Sequence, residues 1–453
     1  MPRREHLLRI SVSGIRGVVG EFLTPQLACA FGQAFGTYVR GGRVVVGRDT
    51  RASGEMLQHA VTCGLLAAGC EVVDVGVQPT PTLQVYVEST AAGGGIALTA
   101  SHNPPEYNAL KLFNAQGLFF NHYERSELVD LYHQSEFRQA FNEEIRSVHC
   151  DYESAPRMHI ERVLPHVDAE RIRARRFRVA LDAVNGAGSA LSVRFLRDVL
   201  GCDLHAISVD PSQPFPREAE PKPGTLGDLA GLVRREKCDA GFAQDPDGDR
   251  LAVVDESGRV LDNDDVLALV VDAALERTPG DVVVNLTTSS VIDDVAMRHA
   301  RRVFRTPVGE ANVVERMQAV GAAIGGEGSN GGIIFPAVHL CRDSYTGMAF
   351  LLDRMAATGA TVSELAARLP RYWRQSSKMP YEHGRMGALT QLLEASFPGA
   401  AFDRSDGIKV MLREGWIHVR TSNTEPVVRL AAEARSEEQL EELMERAESL
   451  LHQ

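Results

Sequence analysis

The stretch Gly94-Gly95-Ile96-Ala97-Leu98-Thr99-Ala100-Ser101-His102-Asn103-Pro104-Pro105 reads as a short buried strand that presents a serine on a polar loop. Working outward, the residues before it alternate: a strand over Arg43–Gly47, a helix over Gly54–Ala68, a strand over Glu71–Val75 and a helix over Thr82–Ser89. The alternation returns as strand Phe177–Asp182, helix Ala187–Leu200, strand Asp203–Ser208, helix Leu226–Lys237 and strand Asp239–Ala243. That passage ends at Asp245-Pro246-Asp247-Gly248-Asp249-Arg250. A third passage predicts strands over Asp281–Asn285 and Arg302–Arg305 and helices over Ser290–Arg301 and Ala311–Val320. Ala322–Gly325 then leads into Gly326-Glu327-Gly328-Ser329-Asn330-Gly331. Strands alternating with helices predict α/β units with mostly parallel sheets. Ligands of such sheets bind beyond the carboxyl ends of the strands, where all three polar loops fall.

The last ~80 residues are different in kind. Ile408–Leu412, Trp416–Arg420 and Val427–Ala432 read as short strands, and the acidic run Ser436–Leu451 as an amphipathic helix. Its acidic face, counted from Glu433 to Glu448, is expected to be solvated. The fold class is therefore α/β, with mixed, mostly parallel sheets and a C-terminal α+β domain. Linkers are expected near Cys150–Ala155, at Glu256-Ser257-Gly258 and over Ala367–Pro380, giving domains 1–152, 153–256, 257–368 and 369–453.

A chain of 453 residues is too long for one core, and three or four domains of roughly 100–200 residues suit it. Apolar content of 44% and charged content of 24% are those of an ordinary globular protein. A formal charge of −12 argues against nucleic acid or an anionic membrane as partner, though not against a locally basic site. The seven cysteines (29, 63, 70, 150, 202, 238 and 341) are scattered without a C-x-x-C pair, which fits reduced thiols. The charged N-terminus leads into no signal-peptide core, and the longest apolar run, Val266–Leu275, is broken by Asp272. A cytoplasmic protein with no membrane partner is expected, monomer or homodimer.

Each loop has a bland reading beside a chemical one. Ser101 could serve as a turn or helix cap. No G-x-S-x-G occurs for a serine hydrolase. Asp245, Asp247 and Asp249 alternate, so an extended loop can point three carboxylates at one hard cation, Mg²⁺ or Ca²⁺. An EF-hand fails because the glycine is at the fourth position and a strand, Leu251–Val254, follows. Gly326–Gly331 fits G-x-G-x-x-G in form, but Ile333-Ile334-Phe335 reads as a strand where a dinucleotide site needs a helix. Glu327 and Ser329 suit sugar hydroxyls instead. Arg420-Thr421-Ser422-Asn423-Thr424-Glu425-Pro426, with Arg429 behind it, gathers donors suited to a phosphate monoester. Ser13-Gly14-Ile15-Arg16-Gly17 and Gly47-Arg48-Asp49-Thr50-Arg51 carry further arginines, each read alone as a surface charge.

Taken in order, Ser-Gly-Ile-Arg-Gly, Thr-Ala-Ser-His-Asn-Pro-Pro, Asp-Pro-Asp-Gly-Asp-Arg, Gly-Glu-x-Ser and Arg-x-Ser-Asn-Thr-x-Pro resemble the α-D-phosphohexomutase family. The likeness runs from Ser11 to about Leu451 and is nearest to the archaeal-type phosphoglucosamine mutase branch. It implies four domains around a central cleft and a phosphoserine at Ser101. That group would exchange phosphate with a hexose 1- or 6-phosphate through a 1,6-bisphosphate. It further implies Mg²⁺ on Ser101, Asp245, Asp247 and Asp249, with Arg16 and Arg250 on the transferring phosphoryl group. Lys111 would be the general acid/base, assisted by His102. Glu327 and Ser329 would bind sugar hydroxyls, and Arg420, Ser422, Asn423, Thr424 and Arg429 the idle phosphate. The substrate implied is glucosamine phosphate, with mannose or glucose phosphates as the alternative and a non-catalytic sugar-phosphate sensor behind both. Three positions depart from the family pattern: Asn330-Gly331 where Gly-His is frequent, Ala109 for glycine, and Ser344 for glycine after Arg342-Asp343.

Overall fold

The computed structural model describes residues 9–11, 14–380, 386–421 and 427–451. It divides into two compact units, Met1–Val266 with Gly331–Leu365 and Leu267–Asn330 with Ala366–Gln453.

The first unit opens with a seven-stranded sheet: β1 (Arg9–Ser11), β2 (Gly14–Val18), β3 (Arg43–Arg48), β4 (Glu71–Val77), β5 (Gly94–Leu98), β6 (Tyr107–Phe113) and β7 (Val148–Cys150). Their spatial order is β1-β2-β6-β5-β3-β4-β7. β3 runs parallel to β4 and β5, whereas β6 lies antiparallel between β5 and β2. Alternation along β3 sets the layers. Val44 and Val46 enter a core with Phe31 and Phe35 of helix Pro25–Tyr38 and Leu57, Val61 and Leu65 of helix Gly54–Ala67. Val45 points the other way, into a core with Leu83 and Val87 of helix Thr80–Ser89.

A second sheet follows: β8 (Arg178–Asp182), β9 (Asp203–Ile207), β10 (Ala240–Gln244) and β11 (Leu251–Asp255), in the order β11-β10-β8-β9. β8 is parallel to β9 and β10, and β11 folds back antiparallel on β10. The predicted helix after β8 is present as an α-helix, Gly188–Val193, continuing in the wider π form over Arg194–Val199. In the second unit β12 (Val282–Asn285) is parallel to β13 (Val303–Thr306) and β14 (Ile324–Glu327). β15 (Gly332–Phe335) and β16 (His339–Arg342) then form an antiparallel pair in the first unit. The C-terminal sheet, in the second unit, is wholly antiparallel. It is built of β17 (Trp373–Pro380), β18 (Ala401–Asp403), β19 (Ile408–Met411), β20 (Gly415–Thr421) and β21 (Val427–Ala434). Helices Met386–Ser396 and Glu437–Leu451 pack Leu393, Leu443 and Ala447 against it.

The α/β class with mixed sheets and an α+β tail is borne out, and two local expectations are corrected. The sheets are mixed as expected, and β6 is a strand that the sequence reading passed over. The expected linker Ala367–Pro380 contains β17, paired along its length with β21. Glu256–Gly258, expected as a turn, is the tip of a tight turn closed by Leu261 N–H on Val253 C=O. Glu433 belongs to β21 and is buried; its Oε1 accepts from Trp416 Nε1 at 2.8 Å and from Ser290 N–H at 2.9 Å. Among the described residues no helix is long and apolar enough to cross a membrane.

Candidate active site

β5 is buried at every position and delivers Ser101 at its carboxyl end. Ser101 adopts φ +50°, a left-handed conformation that costs a residue with a Cβ about 1–2 kcal/mol. β10, equally buried, delivers the aspartate loop, and Gly248 turns it at φ +68° where a side chain would be strained. The two loops meet: Ser101 Oγ donates to Asp245 Oδ2 at 2.8 Å and lies 3.3 Å from His102 Nδ1.

Asp245, Asp247 and Asp249 are all buried, and one oxygen from each lies within 4.8 Å of the others. Asp247 Oδ2 accepts from Thr80 Oγ1 at 2.6 Å and from Lys111 Nζ at 2.5 Å, and Asp249 Oδ2 accepts from Arg342 at 2.7 Å. Among the described residues, Asp247 Oδ1 and Asp249 Oδ1 are buried without a hydrogen-bond partner. Burial pushes the Asp245 carboxyl well above the usual range, and the charges of Asp249 and Asp247 push it further. Asp247 goes the other way: burial would raise it, but the Lys111 ammonium and hydrogen bonds from Asp245, Lys111 and Thr80 hold it below. Crowded, dry carboxylates with oxygens to spare fit a hard divalent cation. The triad can hold a metal ion.

Cations ring the serine. Arg250 reaches His102 Nδ1 at 2.8 Å and Glu220 at 2.6 Å, and Arg16 donates to Asn103 Oδ1 at 2.6 Å. Burial, with Arg250, Arg51 and Arg342 nearby, lowers Arg16 to about 10, so it stays charged at neutral pH. Burial, with Arg250, Arg16 and Arg342 nearby, pushes His102 down to about 2, leaving it a neutral hydrogen-bond acceptor. Burial disfavours the Lys111 ammonium, yet Asp247 and Asp249 outweigh burial and raise it.

In the second unit Glu327 ends β14, buried, with Oε1 accepting from Asn285 Nδ2 at 2.9 Å and Gly309 N–H at 2.8 Å. Ser329 follows, exposed, in a 3₁₀ turn. Arg420 and Arg429 face each other across β20 and β21, an arrangement that repels unless an anion sits nearby. Burial lowers Arg420, and Arg429 lowers it further. Ser422, Asn423 and Thr424 lie outside the described residues.

Arg51 and Glu220 escaped the sequence reading as site residues, and Arg342 and Asp343 entered it only beside a departure from the family pattern. Arg51, taken there for a surface charge, is 4% exposed; its position just after a strand that ends beside the Ser101 strand was the available signal. Arg342 grips Asp249, while Asp343 caps helix Ser344–Thr358 and meets His159. Glu220 comes from an irregular stretch that carries no motif.

Four family models for phosphoglucomutase/phosphomannomutase match in chain order: alpha/beta/alpha domain I over residues 9–139, domain II over 157–258, domain III over 262–372 and the C-terminal domain over 378–450. A phosphoglucomutase/phosphomannomutase of Thermococcus kodakarensis is 39% identical over 448 residues, 97% of each chain. A probable phosphoglucosamine mutase of Methanopyrus kandleri is 40% identical over 437 residues, 95% of each. The crystal structure of a phosphoglucomutase/phosphomannomutase family protein from Burkholderia thailandensis superposes with a TM-score of 0.84 at 28% identity, covering 98% of both chains. The chain belongs to the phosphoglucomutase/phosphomannomutase family. It is an enzyme of the phosphohexomutase class, as the ordered motifs led one to expect.

Proposed function

We propose that the protein interconverts glucosamine 6-phosphate and glucosamine 1-phosphate through a phosphoserine at Ser101 and a hexose 1,6-bisphosphate. The observation that carries this reading is Ser101 Oγ on Asp245 at 2.8 Å, at the mouth of a buried triad with unpartnered oxygens. In the first half-reaction the Ser101 Oγ–P bond breaks, a bond from phosphorus to a sugar oxygen forms, and the sugar hydroxyl's proton ends on Ser101 Oγ. Run in reverse on the reoriented bisphosphate, the same exchange restores the phosphoserine.

A Mg²⁺ ion held by Asp245, Asp247, Asp249 and the Ser101 group would neutralise charge on the phosphoryl oxygens. Arg16 and Arg250 supply further positive charge around the serine, and His102 orients Arg250 by accepting its N–H. Lys111, an ammonium at rest, is the proton donor and acceptor of the exchange. Glu327 and Ser329 bind sugar hydroxyls, and Arg420 and Arg429, with Ser422, Asn423 and Thr424, take the phosphate that is not reacting. The segments 1–152, 153–256, 257–368 and 369–453 are the four domains of this proposal.

Glucosamine leads because the Methanopyrus relative carries that name, and glucose or mannose phosphate is the second reading because the Thermococcus relative carries the other. A coupled assay with Mg²⁺ and a trace of hexose 1,6-bisphosphate decides between them by kcat/KM on the three sugar phosphates. A tenfold preference, about 1.4 kcal/mol in transition-state binding, for glucosamine is expected. Equal values would favour a tolerant hexomutase. Ser101→Ala is expected to remove turnover; full activity in that variant would overturn the phosphoserine.

A further inference from the structure

Ser101 holds its left-handed φ of +50° in a loop with no regular structure of its own, so something must fix it. Its N–H donates to Thr99 Oγ1 at 3.0 Å, and its C=O accepts from Arg51 at 2.6 Å. The same guanidinium donates to the carbonyls of Asn103 at 2.7 Å, Pro104 at 2.7 Å and Tyr107 at 3.1 Å. Its Nε–H donates to Asp49 Oδ2 at 3.0 Å, which also accepts from Thr99 Oγ1 at 2.7 Å. All five guanidinium N–H groups are thus committed, four of them to the backbone that carries the serine. Asp49 closes the ring by also accepting the Arg51 backbone N–H at 2.9 Å. The Phe215 ring covers the guanidinium at 5.2 Å from its centroid.

We infer that Arg51, anchored by Asp49, is the positioning residue of the phosphate-carrying serine: it fixes the height and aim of Ser101 Oγ toward the aspartate triad without touching the substrate. A planar five-donor fork on a rigid anchor imposes one loop conformation. A lysine there has three donors at one point and cannot reach four carbonyls and a carboxylate together. This role rests on the phosphoserine reading of Ser101 proposed above.

Both are tested on one preparation. Wild-type enzyme, Arg51→Lys and Asp49→Asn are phosphorylated with ³²P-labelled hexose 1,6-bisphosphate. Each is then chased with the best unlabelled hexose monophosphate, and the rate constant for loss of protein-bound label is measured. That constant does not depend on how much of a sample is folded. The expected result is full labelling of wild type, with transfer at least tenfold slower in Arg51→Lys and several-fold slower in Asp49→Asn. In steady state kcat should fall while KM for the sugar phosphate stays within about twofold. Folded variants that transfer at the wild-type rate would overturn the role of Arg51. A wild type that takes no label would overturn the phosphoserine itself, a separate failure. Should Arg51→Lys not fold, Asp49→Asn, which keeps the side chain's shape, decides alone.

Discussion

Lys111 is 2% exposed, with Asp247 at 2.5 Å and Asp249 at 3.6 Å. A cation so placed is held by its partners, since burial works against the charge and Asp247 and Asp249 outweigh it. Taking it away strands a buried carboxylate, and breaking such a pair costs about 3–5 kcal/mol. Lys111→Met is therefore expected to melt well below wild type in EDTA. Mg²⁺ should recover much of that loss, because a divalent cation on the same carboxylates supplies the missing charge. Calorimetry with and without Mg²⁺ reads both effects. A variant as stable as wild type in EDTA would show that these carboxylates need no compensating cation. The alternating spacing of the three aspartates made them readable as a candidate cation site, whereas Ser101, open to a bland reading as a turn or cap, was singled out only together with the other motifs. Arg51 was harder to read, because an arginine is ordinarily exposed and only the backbone geometry of a neighbouring loop reveals what it holds.

At the scale of elements, the aspartate loop is shaped by the turn after β8. Asn185 N–H donates to Ser208 C=O at 2.6 Å, and Ala187 N–H donates to Pro246 C=O at 2.7 Å. Val184 and Asn185 both adopt positive φ, at 50° and 55°. For a β-branched valine this is strain on the order of 1–3 kcal/mol, kept because the surroundings demand it. Between them and the helix lies Gly186, where an added Cβ would stand 2.5 Å from Pro246 O and 2.6 Å from Pro246 Cα. Neither atom can yield without moving Asp245 and Asp247. Gly186→Ala is thus expected to raise the half-saturating Mg²⁺ concentration in the mutase assay at least tenfold. An unchanged Mg²⁺ dependence would show that the loop is set by something else. The alternation of strands and helices was legible because β5, β8 and β10 each carry a short apolar stretch, Gly94–Leu98, Val179–Leu181 and Ala240–Ala243, next to a polar loop. β6 was not legible: Tyr107-Asn108-Ala109-Leu110-Lys111-Leu112-Phe113 buries Asn108 and Lys111 among its apolar residues, so it shows neither alternation nor a clean run.

Across the whole molecule, the alternation of strands and helices forecast the class correctly, while several pairings and tertiary contacts lay beyond it. Nothing in Glu433 itself distinguishes a buried acceptor for Trp416 from the exposed glutamates that follow in the C-terminal helix. The cysteines test how completely the cores close. All seven are free; Cys63 and Cys150 are exposed, Cys29 is half-buried, and Cys70, Cys202, Cys238 and Cys341 are buried. Burial raises the Cys70 thiol to about 11, Cys202 to about 12 and, aided by the Glu236 and Asp239 charges, Cys238 to about 11. Reaction goes through the thiolate, so at pH 8 a thiol near 11 presents about one thiolate in a thousand, before steric exclusion is counted. A brief native pulse of maleimide at pH 8, followed by peptide mass mapping, is expected to mark Cys63 and Cys150. The buried four should follow only when the chain unfolds. Raising the pH to 9 increases the thiolate fraction of those thiols tenfold, yet labelling should still wait for opening, because the barrier is packing as well as charge. Rapid native labelling of Cys70, Cys202 or Cys238 would mean that the core around that thiol opens far more readily than its burial implies.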